Sequence, residues 1–129
     1  MKKKILVVNA NYYKEISDGL ISSALKLIEG QYSIKIIDVP GVFEIPVTIS
    51  KNLKKFDAFI ALGCVIKGQT PHFDFISQAS TTAIMTLSIE SRKAIGNGII
   101  TCLNMKQAKE RKKKGAEAAK AIISILNQR

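Results

Sequence analysis

The chain has 129 residues and 47% of them are hydrophobic, which predicts a single domain over residues 1–129 with its own core and excludes general disorder. The formal net charge is +10, a balance that fits a solvated basic surface, attraction of anionic small molecules, or nucleic-acid binding. Because the lysines are scattered, Trp is absent and no aromatic RNA-binding motif occurs, we expect no nucleic-acid partner.

The sequence carries no signal for a membrane, an export pathway or a metal site. No apolar stretch approaches the length of a membrane span, and the apolar run after the basic start is too short for a signal peptide. The two cysteines, Cys64 and Cys102, form neither a disulfide framework nor a zinc motif. We therefore expect a cytoplasmic protein with reduced thiols, no metal and no membrane partner.

The amino-terminal half predicts two strand–helix units. Apolar residues predict strands at residues 4–8 and 33–39. Between them, Gly30 would end a first helix. The apolar stripe of that helix is Ile16, Leu20, Ala24 and Leu27. Residues 44–53 predict a second helix, with Pro46 tolerated in its first turn.

The carboxyl-terminal half repeats the alternation. Strands are predicted at residues 57–62 and 94–101. A third helix lies between them, and its apolar stripe is Phe73, Ile76, Ala79, Ala83 and Leu87. Two further helical segments, residues 105–111 and 116–126, are separated by a break near Gly115.

The strand pattern predicts an α/β fold. Three of the four strands are continuous apolar runs, which is typical of a parallel sheet covered by helices on both faces. We therefore expect a three-layer α/β/α sandwich with a flavodoxin-like four-stranded parallel sheet. In such sheets ligands bind beyond the carboxyl ends of the strands. The loops there are residues 9–14, 40–43, 63–70 and 101–104.

The third of these loops, with the helix start that follows it, is the most informative segment. Residues 63–74 combine two glycines, a Thr-Pro pair and His72, the only histidine. Pro71 suits the first helical position, and a helix N-terminus can hold an anion. His72 would then lie in the first turn beside that anion, where it is either a structural histidine or a group that moves protons near neutral pH.

Other residues of these loops have a structural as well as a functional interpretation. Tyr12 and Tyr13 are either interface or core aromatics or a surface on which a flat heterocycle stacks. Glu44 is either a favourable charge in the first turn of the second helix or a ligand-binding group. The basic residues 111–114 are either a solvated run or a phosphate site. A nucleotide-phosphate loop is rejected, because Gln69 stands where its lysine would be.

Together these motifs resemble the lumazine synthase family of riboflavin biosynthesis. Residues 39–46, Val-Pro-Gly-Val-Phe-Glu-Ile-Pro, match a family segment with one conservative change, and residues 63–74 match a second. These two long motifs are highly specific, and residues 97–101 and 107–115 add weaker matches. Asn11 departs from the family, which usually has Arg there.

The resemblance implies a transferase without a metal or organic cofactor. Its substrates would be the small molecules 5-amino-6-(D-ribitylamino)uracil and 3,4-dihydroxy-2-butanone 4-phosphate, and its product 6,7-dimethyl-8-ribityllumazine. The rival interpretation is a non-catalytic flavin- or lumazine-binding protein on the same fold. Retention of His72 and Arg111 favours the enzyme, because a binder needs neither a proton shuttle nor a phosphate clamp.

The resemblance also implies residue roles, with His72 as the catalytic proton shuttle. The implied substrate-binding residues are Tyr12, Val42, Phe43, Glu44, Val65, Ile66, Gln69, Thr70, Asn97, Arg111 and Lys114. Tyr12 would stack on the pyrimidinedione, and Arg111 would neutralise the phosphate. The ribityl pocket would use Phe43 and Glu44, the heterocycle would meet Val65 and Ile66, and Gln69 and Thr70 would hold phosphate.

The resemblance further implies an assembly. Family sites lie between subunits, so Asn97, Arg111 and Lys114 would come from a neighbouring chain. The chain begins directly at its first strand, whereas many members have an N-terminal extension. A homopentamer is therefore expected rather than a larger shell.

Overall fold

The computed structural model describes residues 1–128, and Arg129, the last residue of the predicted domain, lies outside them. The strands are β1 (Lys4–Ala10), β2 (Ser33–Val39), β3 (Ala58–Ile66) and β4 (Ala94–Cys102). The helices are α1 (Lys14–Ile28), α2 (Ile45–Asn52), α3 (His72–Ser91), α4 (Met105–Glu110) and α5 (Lys114–Leu126). A 3₁₀ turn, Val42–Glu44, precedes α2. None of these helices is both long and apolar enough to cross a membrane.

The four strands form one parallel sheet in the order β2-β1-β3-β4. Strands β1 and β3 are central, and their apolar runs are buried on both faces. One face packs against α1 and α5 through residues such as Leu20 and Ile122. The other packs against α2 and α3 through residues such as Ile49 and Ile84. The predicted α/β fold with three layers is confirmed.

Strand β3 is longer than the sequence predicts. It continues through Gly63 to Ile66, because that segment pairs with Ile99 to Cys102 of β4. The glycine marks a close approach rather than the start of a loop, since a Cβ there would lie 2.8 Å from Cγ2 of Val42. The third loop is therefore shorter than residues 63–70.

Several helix boundaries also differ from the predictions. Glu44 lies in the 3₁₀ turn and caps α2, so it is not inside the first turn of that helix. Pro71 is the N-cap of α3, and His72 is the first helical residue. The predicted break between α4 and α5 falls at residues 111–113. Gly115 itself lies in the first turn of α5, where a Cβ would collide with the carbonyl oxygen of Leu20.

Candidate active site

A cavity of about 430 Å³ lies beyond the carboxyl ends of β1, β2 and β3. We call it the aromatic cavity. Its lining residues are Tyr12, Tyr13, Pro40, Gly41, Val42, Phe43, Glu44, Cys64, Val65, Ile66, His72 and Ile76. They come from three loops or strand ends and from the first turns of α3. The cavity therefore occupies the position at which a parallel α/β sheet binds its ligands.

The loop after β1 supplies an exposed aromatic ring. Tyr12 is 75% exposed, and its ring centroid lies 4.9 Å from that of Tyr13 with the two planes 83° apart. Tyr13 is half-buried against the core beside α1, and burial raises the pKa of its hydroxyl, with smaller contributions from Tyr12 and Cys64. This edge-to-face contact supports the Tyr12 ring from a fixed neighbour and leaves a face free for a planar ligand.

The loop after β2 places an aromatic ring and a carboxylate at the same cavity. Val42 is buried against β3, whereas Phe43 is exposed. The carboxylate of Glu44 turns back over the loop: its Oε1 lies close enough to Gly41 that a Cβ built there would be 3.1 Å from it. The carbonyl oxygen of Glu44 accepts a hydrogen bond of 2.8 Å from Oγ1 of Thr48 in α2. The first turn of α2 thus fixes the backbone from which Glu44 projects.

The end of β3 forms an uncharged part of the cavity wall. Cys64 and Val65 are buried and Ile66 is half-buried. Burial, helped by the charge and hydrogen bond of the neighbouring thiol of Cys102, raises the pKa of the Cys64 thiol to about 12. The thiol is therefore neutral near pH 7, and the two cysteines are free, as the sequence predicts.

The start of α3 brings His72 to the cavity. Oγ1 of Thr70 accepts a hydrogen bond of 3.4 Å from the backbone N–H of His72. Gln69 and Thr70 are exposed and do not line the aromatic cavity, but they lie directly before its His72 wall. The first N–H groups of a helix have no partner within it, so this end of α3 can accept an anion.

A second cavity of about 700 Å³ lies along β4, the edge strand of the sheet. We call it the β4-edge cavity. Its lining residues are Thr81, Asn97, Ile99, Ile100, Thr101, Glu110, Arg111, Lys113, Lys114 and Glu117. Nη1 of Arg111 donates to the carbonyl oxygen of Thr101 at 3.2 Å. The two cavities share no lining residue, so Asn97, Arg111 and Lys114 do not meet His72 in the aromatic cavity.

The comparisons with known proteins agree on one family. The family model described as 6,7-dimethyl-8-ribityllumazine synthase matches residues 2–129. A 6,7-dimethyl-8-ribityllumazine synthase of Bartonella tribocorum is 41% identical, over 98% of this chain and 91% of its own length. Proteins of the same name from Zymomonas mobilis and Methylobacterium radiotolerans are 39% and 40% identical, over 96% and 95% of this chain and 94% and 80% of their own lengths. The chain belongs to the 6,7-dimethyl-8-ribityllumazine synthase family.

Membership of the lumazine synthase family confirms the resemblance on which the site residues were chosen. Of those residues, seven line the aromatic cavity: Tyr12, Val42, Phe43, Glu44, Val65, Ile66 and His72. Three line the β4-edge cavity, namely Asn97, Arg111 and Lys114. Gln69 and Thr70 line neither. The motifs therefore identify surfaces on two separate parts of the chain.

Several lining residues were not among the sequence candidates. In the aromatic cavity they include Cys64 and Ile76. Cys64 adjoins the motif position of Val65, and Ile76 lies four residues after His72 on the same helix face, so helical spacing could have found it. Lys113 of the β4-edge cavity could have been found only as a member of the basic run.

Acidic, thiol and imidazole side chains do not gather into a metal-binding group. Within residues 1–128, no three side chains of His, Cys, Asp or Glu lie together in a way that could hold a metal ion. The expectation of a reaction without a metal or organic cofactor stays a prediction.

Proposed function

We propose that this protein is the transferase that condenses 5-amino-6-(D-ribitylamino)uracil with 3,4-dihydroxy-2-butanone 4-phosphate to give 6,7-dimethyl-8-ribityllumazine, phosphate and water. One observation carries the proposal. In a chain that belongs to the lumazine synthase family, residues from three separated segments line one cavity at the ligand-binding edge of the sheet, with His72 in its wall.

The aromatic cavity suits the pyrimidine substrate. The exposed ring of Tyr12, held edge-on by Tyr13, would stack on the pyrimidinedione. Val65 and Ile66 offer apolar side chains and the backbone at the end of β3, which can meet the ring edge. The ribityl chain would lie along Val42 and Phe43, and the Glu44 carboxylate would accept hydrogen bonds from its hydroxyl groups.

The phosphate of the second substrate would lie at the start of α3. The helix N-terminus attracts negative charge, and the side chains of Gln69 and Thr70 can donate hydrogen bonds to phosphate oxygens. This places the leaving phosphate next to His72. The butanone carbonyl, on the same small molecule, would then lie above the aromatic cavity and within reach of the pyrimidine amine.

A neighbouring subunit would complete this phosphate site. Arg111 and Lys114 lie in the β4-edge cavity, which opens beside the free edge of the sheet and shares no lining residue with the aromatic cavity. We propose that the β4 edge of one chain covers the aromatic cavity of the next. Arg111 and Lys114 would then neutralise the phosphate, and Asn97 would face the pyrimidine.

Exposed apolar side chains support an assembly of this kind, which we propose to be a homopentamer. Helix α3 exposes Phe75, Met85 and Ile89, and α2 exposes Val47. On α3 the spacing of Phe75 and Ile89 puts them on one face of the helix. The helix as a whole is poorly amphipathic, because apolar side chains also lie on its exposed side. A closed ring would cover this surface and bring each β4 edge to a neighbouring aromatic cavity.

In the proposed reaction the substrates supply most of the chemistry. The pyrimidine amine attacks the butanone carbonyl, and loss of water gives an imine. A proton then leaves the carbon next to the imine as the carbon–oxygen bond to phosphate breaks, and the enol that results becomes a methyl ketone. The second amine attacks the carbonyl of this ketone and closes the ring with loss of another water. His72 would carry the protons that leave nitrogen and reach departing oxygen, a role suited to imidazole near neutral pH. Holding the two substrates in the reacting orientation supplies the rest of the rate enhancement.

We place this activity in the cytoplasm. The two buried, free thiols fit a reducing compartment. The proposed partners are the two small-molecule substrates and further copies of this chain, with neither nucleic acid nor membrane.

The decisive experiment mixes both substrates with the purified protein and follows the fluorescence of the lumazine product. The amine and the ketone also react slowly on their own, so the rate is compared with that of the same mixture without protein. The rate with protein should be higher. Omission of either substrate is the control. If the protein binds the lumazine but leaves the background rate unchanged, it is a lumazine-binding protein and the proposal is wrong.

A further inference from the structure

The turn between α4 and α5 carries the two basic residues that the proposed phosphate site needs. Arg111 ends α4, and Lys114 begins α5. Backbone hydrogen bonds within the turn run from Lys114 to Arg111 and from Ala116 to Lys113. Like charges along it repel one another, so contacts from elsewhere can add to its order. Those contacts come from α1, which lies almost ninety positions earlier in the chain.

The hydroxyl of Ser23 in α1 is hydrogen-bonded to this turn at two points. Its Oγ donates to the carbonyl oxygen of Lys112 at 2.9 Å and accepts from the backbone N–H of Ala116 at 3.1 Å. Ala116 belongs to the first turn of α5, and the N-cap of that helix, Lys113, makes no side-chain capping bond. Ser23 thus caps α5 from another helix and also ties down the residue after Arg111.

The surrounding contacts restrict the position and the hydrogen-bond partners of the Ser23 hydroxyl. Gly115 brings the backbone of α5 so close that a Cβ there would lie 2.6 Å from Oγ of Ser23. The hydroxyl could also donate to Leu20 within its own helix, at 3.1 Å, but one proton serves one acceptor at a time and the bond to Lys112 is shorter. The side chain is half-buried, so water competes poorly for these groups.

Charged contacts on the same side of the turn sort its basic residues into two groups. Nζ of Lys112 lies 3.8 Å from the carboxylate of Glu15 in α1, and its stem lies against Gly19. Arg111 and Lys114 instead line the β4-edge cavity. The contacts with α1 therefore turn Lys112 away from the cavity, whereas Arg111, Lys113 and Lys114 line it. Nζ of Lys114 also lies 3.7 Å from the carboxylate of Glu117.

We propose that Ser23 is a positioning residue for the basic turn, and that it holds Arg111 and Lys114 where they can bind the phosphate end of the butanone substrate. This inference rests on the proposed function. Ser23 itself touches neither substrate. Its loss removes the donor to the carbonyl of Lys112 and one of the two acceptors of the Ala116 N–H, which keeps the carbonyl oxygen of Lys113 at 3.0 Å. The turn is then held less firmly, so the two cations spread over more positions and bind phosphate less well.

The test compares Ser23→Ala with Ser17→Ala. Ser17 is the matched control, because it lies on the same helix and its Oγ makes the same kind of bond within α1, to the carbonyl oxygen of Lys14 at 3.1 Å. Alanine favours helix, so both variants should fold. Ser23→Ala should raise KM for the butanone phosphate about 3- to 10-fold, the range of one lost neutral hydrogen bond, with little change in KM for the pyrimidine.

Two further measurements separate positioning from general destabilisation. In Ser23→Ala the backbone N–H of Ala116 should exchange with deuterium faster, whereas in Ser17→Ala it should match the wild-type protein. Ser23→Thr keeps the hydroxyl and should restore most of the KM. Ser23→Cys, with a weak donor of similar size, should fall between the two.

The outcomes are distinct. A wild-type protein without turnover overturns the proposed function, and the inference falls with it. An active wild type in which Ser23→Ala changes neither KM nor the exchange of Ala116 overturns the inference alone. Equal rises of both KM values, or equal effects of Ser17→Ala and Ser23→Ala, overturn it as well, because they indicate a loss of stability rather than of position.

Discussion

The aromatic cavity and the β4-edge cavity are built in different ways. The first lies at the ends of strands paired to one another, and its walls are mainly aromatic and apolar, with the carboxylate of Glu44 and the imidazole of His72 among them. The second lies along the edge strand, and its cations come from a turn held by α1. The first surface fits the proposed stacking of a flat heterocycle. The second carries the cations proposed to bind phosphate, beside the carboxylates of Glu110 and Glu117. One chain therefore carries both parts of the proposed chemistry, on two surfaces that do not meet within it.

The largest effect should come from the acid–base group of the aromatic cavity. His72→Ala should lower kcat by about 10²- to 10⁴-fold, because imidazole would be the group that moves protons in the reaction. Steady-state kinetics at saturating substrates would measure this. Because His72 is exposed, the thermal unfolding midpoint of the variant should stay close to that of the wild-type protein. A variant with unchanged kcat would show that the aromatic cavity binds without shuttling protons.

Removing a cation from the β4-edge cavity should act on binding instead. Arg111→Ala should raise KM for the butanone phosphate about 10- to 150-fold, since a hydrogen bond to a charged group contributes about 1.5–3 kcal/mol. KM for the pyrimidine should change little. Lys112→Ala is the matched control: it removes a neighbouring cation that faces α1 rather than the cavity, and both KM values should stay near those of the wild type. Similar effects of the two variants would contradict the assignment.

Mixing variants tests whether the two cavities meet across an interface. His72→Ala and Arg111→Ala chains, combined under conditions that exchange subunits, should regain up to about a quarter of wild-type activity at low butanone phosphate, because about a quarter of random interfaces pair two intact surfaces. Each variant mixed with itself is the control. Confirmed exchange without recovery would show that one chain forms the whole site.

The aromatic ring of the first cavity should contribute a smaller amount. Tyr12→Ala should weaken pyrimidine binding by about 1 kcal/mol or somewhat more, roughly the loss of one stacking contact and about 5-fold or more in affinity. Tyr12→Phe should be nearly silent, because the face of the ring and not its hydroxyl makes the contact. Equilibrium titration with the pyrimidine substrate measures both. A strong effect of Tyr13→Ala without one of Tyr12→Ala would mean that the neighbouring ring is the stacking surface.

The sequence predicts the fold well because its signals are local. Apolar runs and helical stripes identify the strands and helices whose residues form the core on the two faces of the sheet. Boundaries fail where a distant partner overrides a local preference. Gly63 reads as the start of a loop, yet it extends β3 because β4 offers a pairing partner for it. Gly115 reads as a helix break, yet α5 needs it to approach the backbone of Leu20.

The residues of the candidate site were likewise predictable only where the sequence signal is local. The two long motifs lead to the residues of the aromatic cavity, because each motif is a continuous stretch that ends at one edge of the sheet. Nothing local in the sequence places Arg111 apart from His72, since that separation depends on the order of strands in the sheet. Nor does any local pattern reveal the bond from Ser23 to Lys112, which joins positions 89 residues apart.

The smallest effect concerns the neutral wall of the aromatic cavity. Burial, helped by the charge and hydrogen bond of Cys102, raises the pKa of the Cys64 thiol to about 12 from its ordinary value of 9.0. Between these values the unfolded chain releases a proton that the folded chain keeps, so the unfolded state binds fewer protons. The free energy of unfolding should therefore fall as pH rises from about 9 towards 12.

A substitution isolates this contribution from other groups that titrate in alkali. Cys64→Ala removes the thiol, so its free energy of unfolding should fall less steeply above about pH 9 than that of the wild type, whereas the two slopes should agree between pH 6 and 8. Urea unfolding at a series of pH values measures both slopes. A neutral thiol is also a poor nucleophile, so iodoacetamide should alkylate Cys64 slowly in the folded protein at pH 8. Rapid alkylation together with parallel slopes would mean that this wall of the aromatic cavity ionises readily and shares the charged character of the β4-edge cavity.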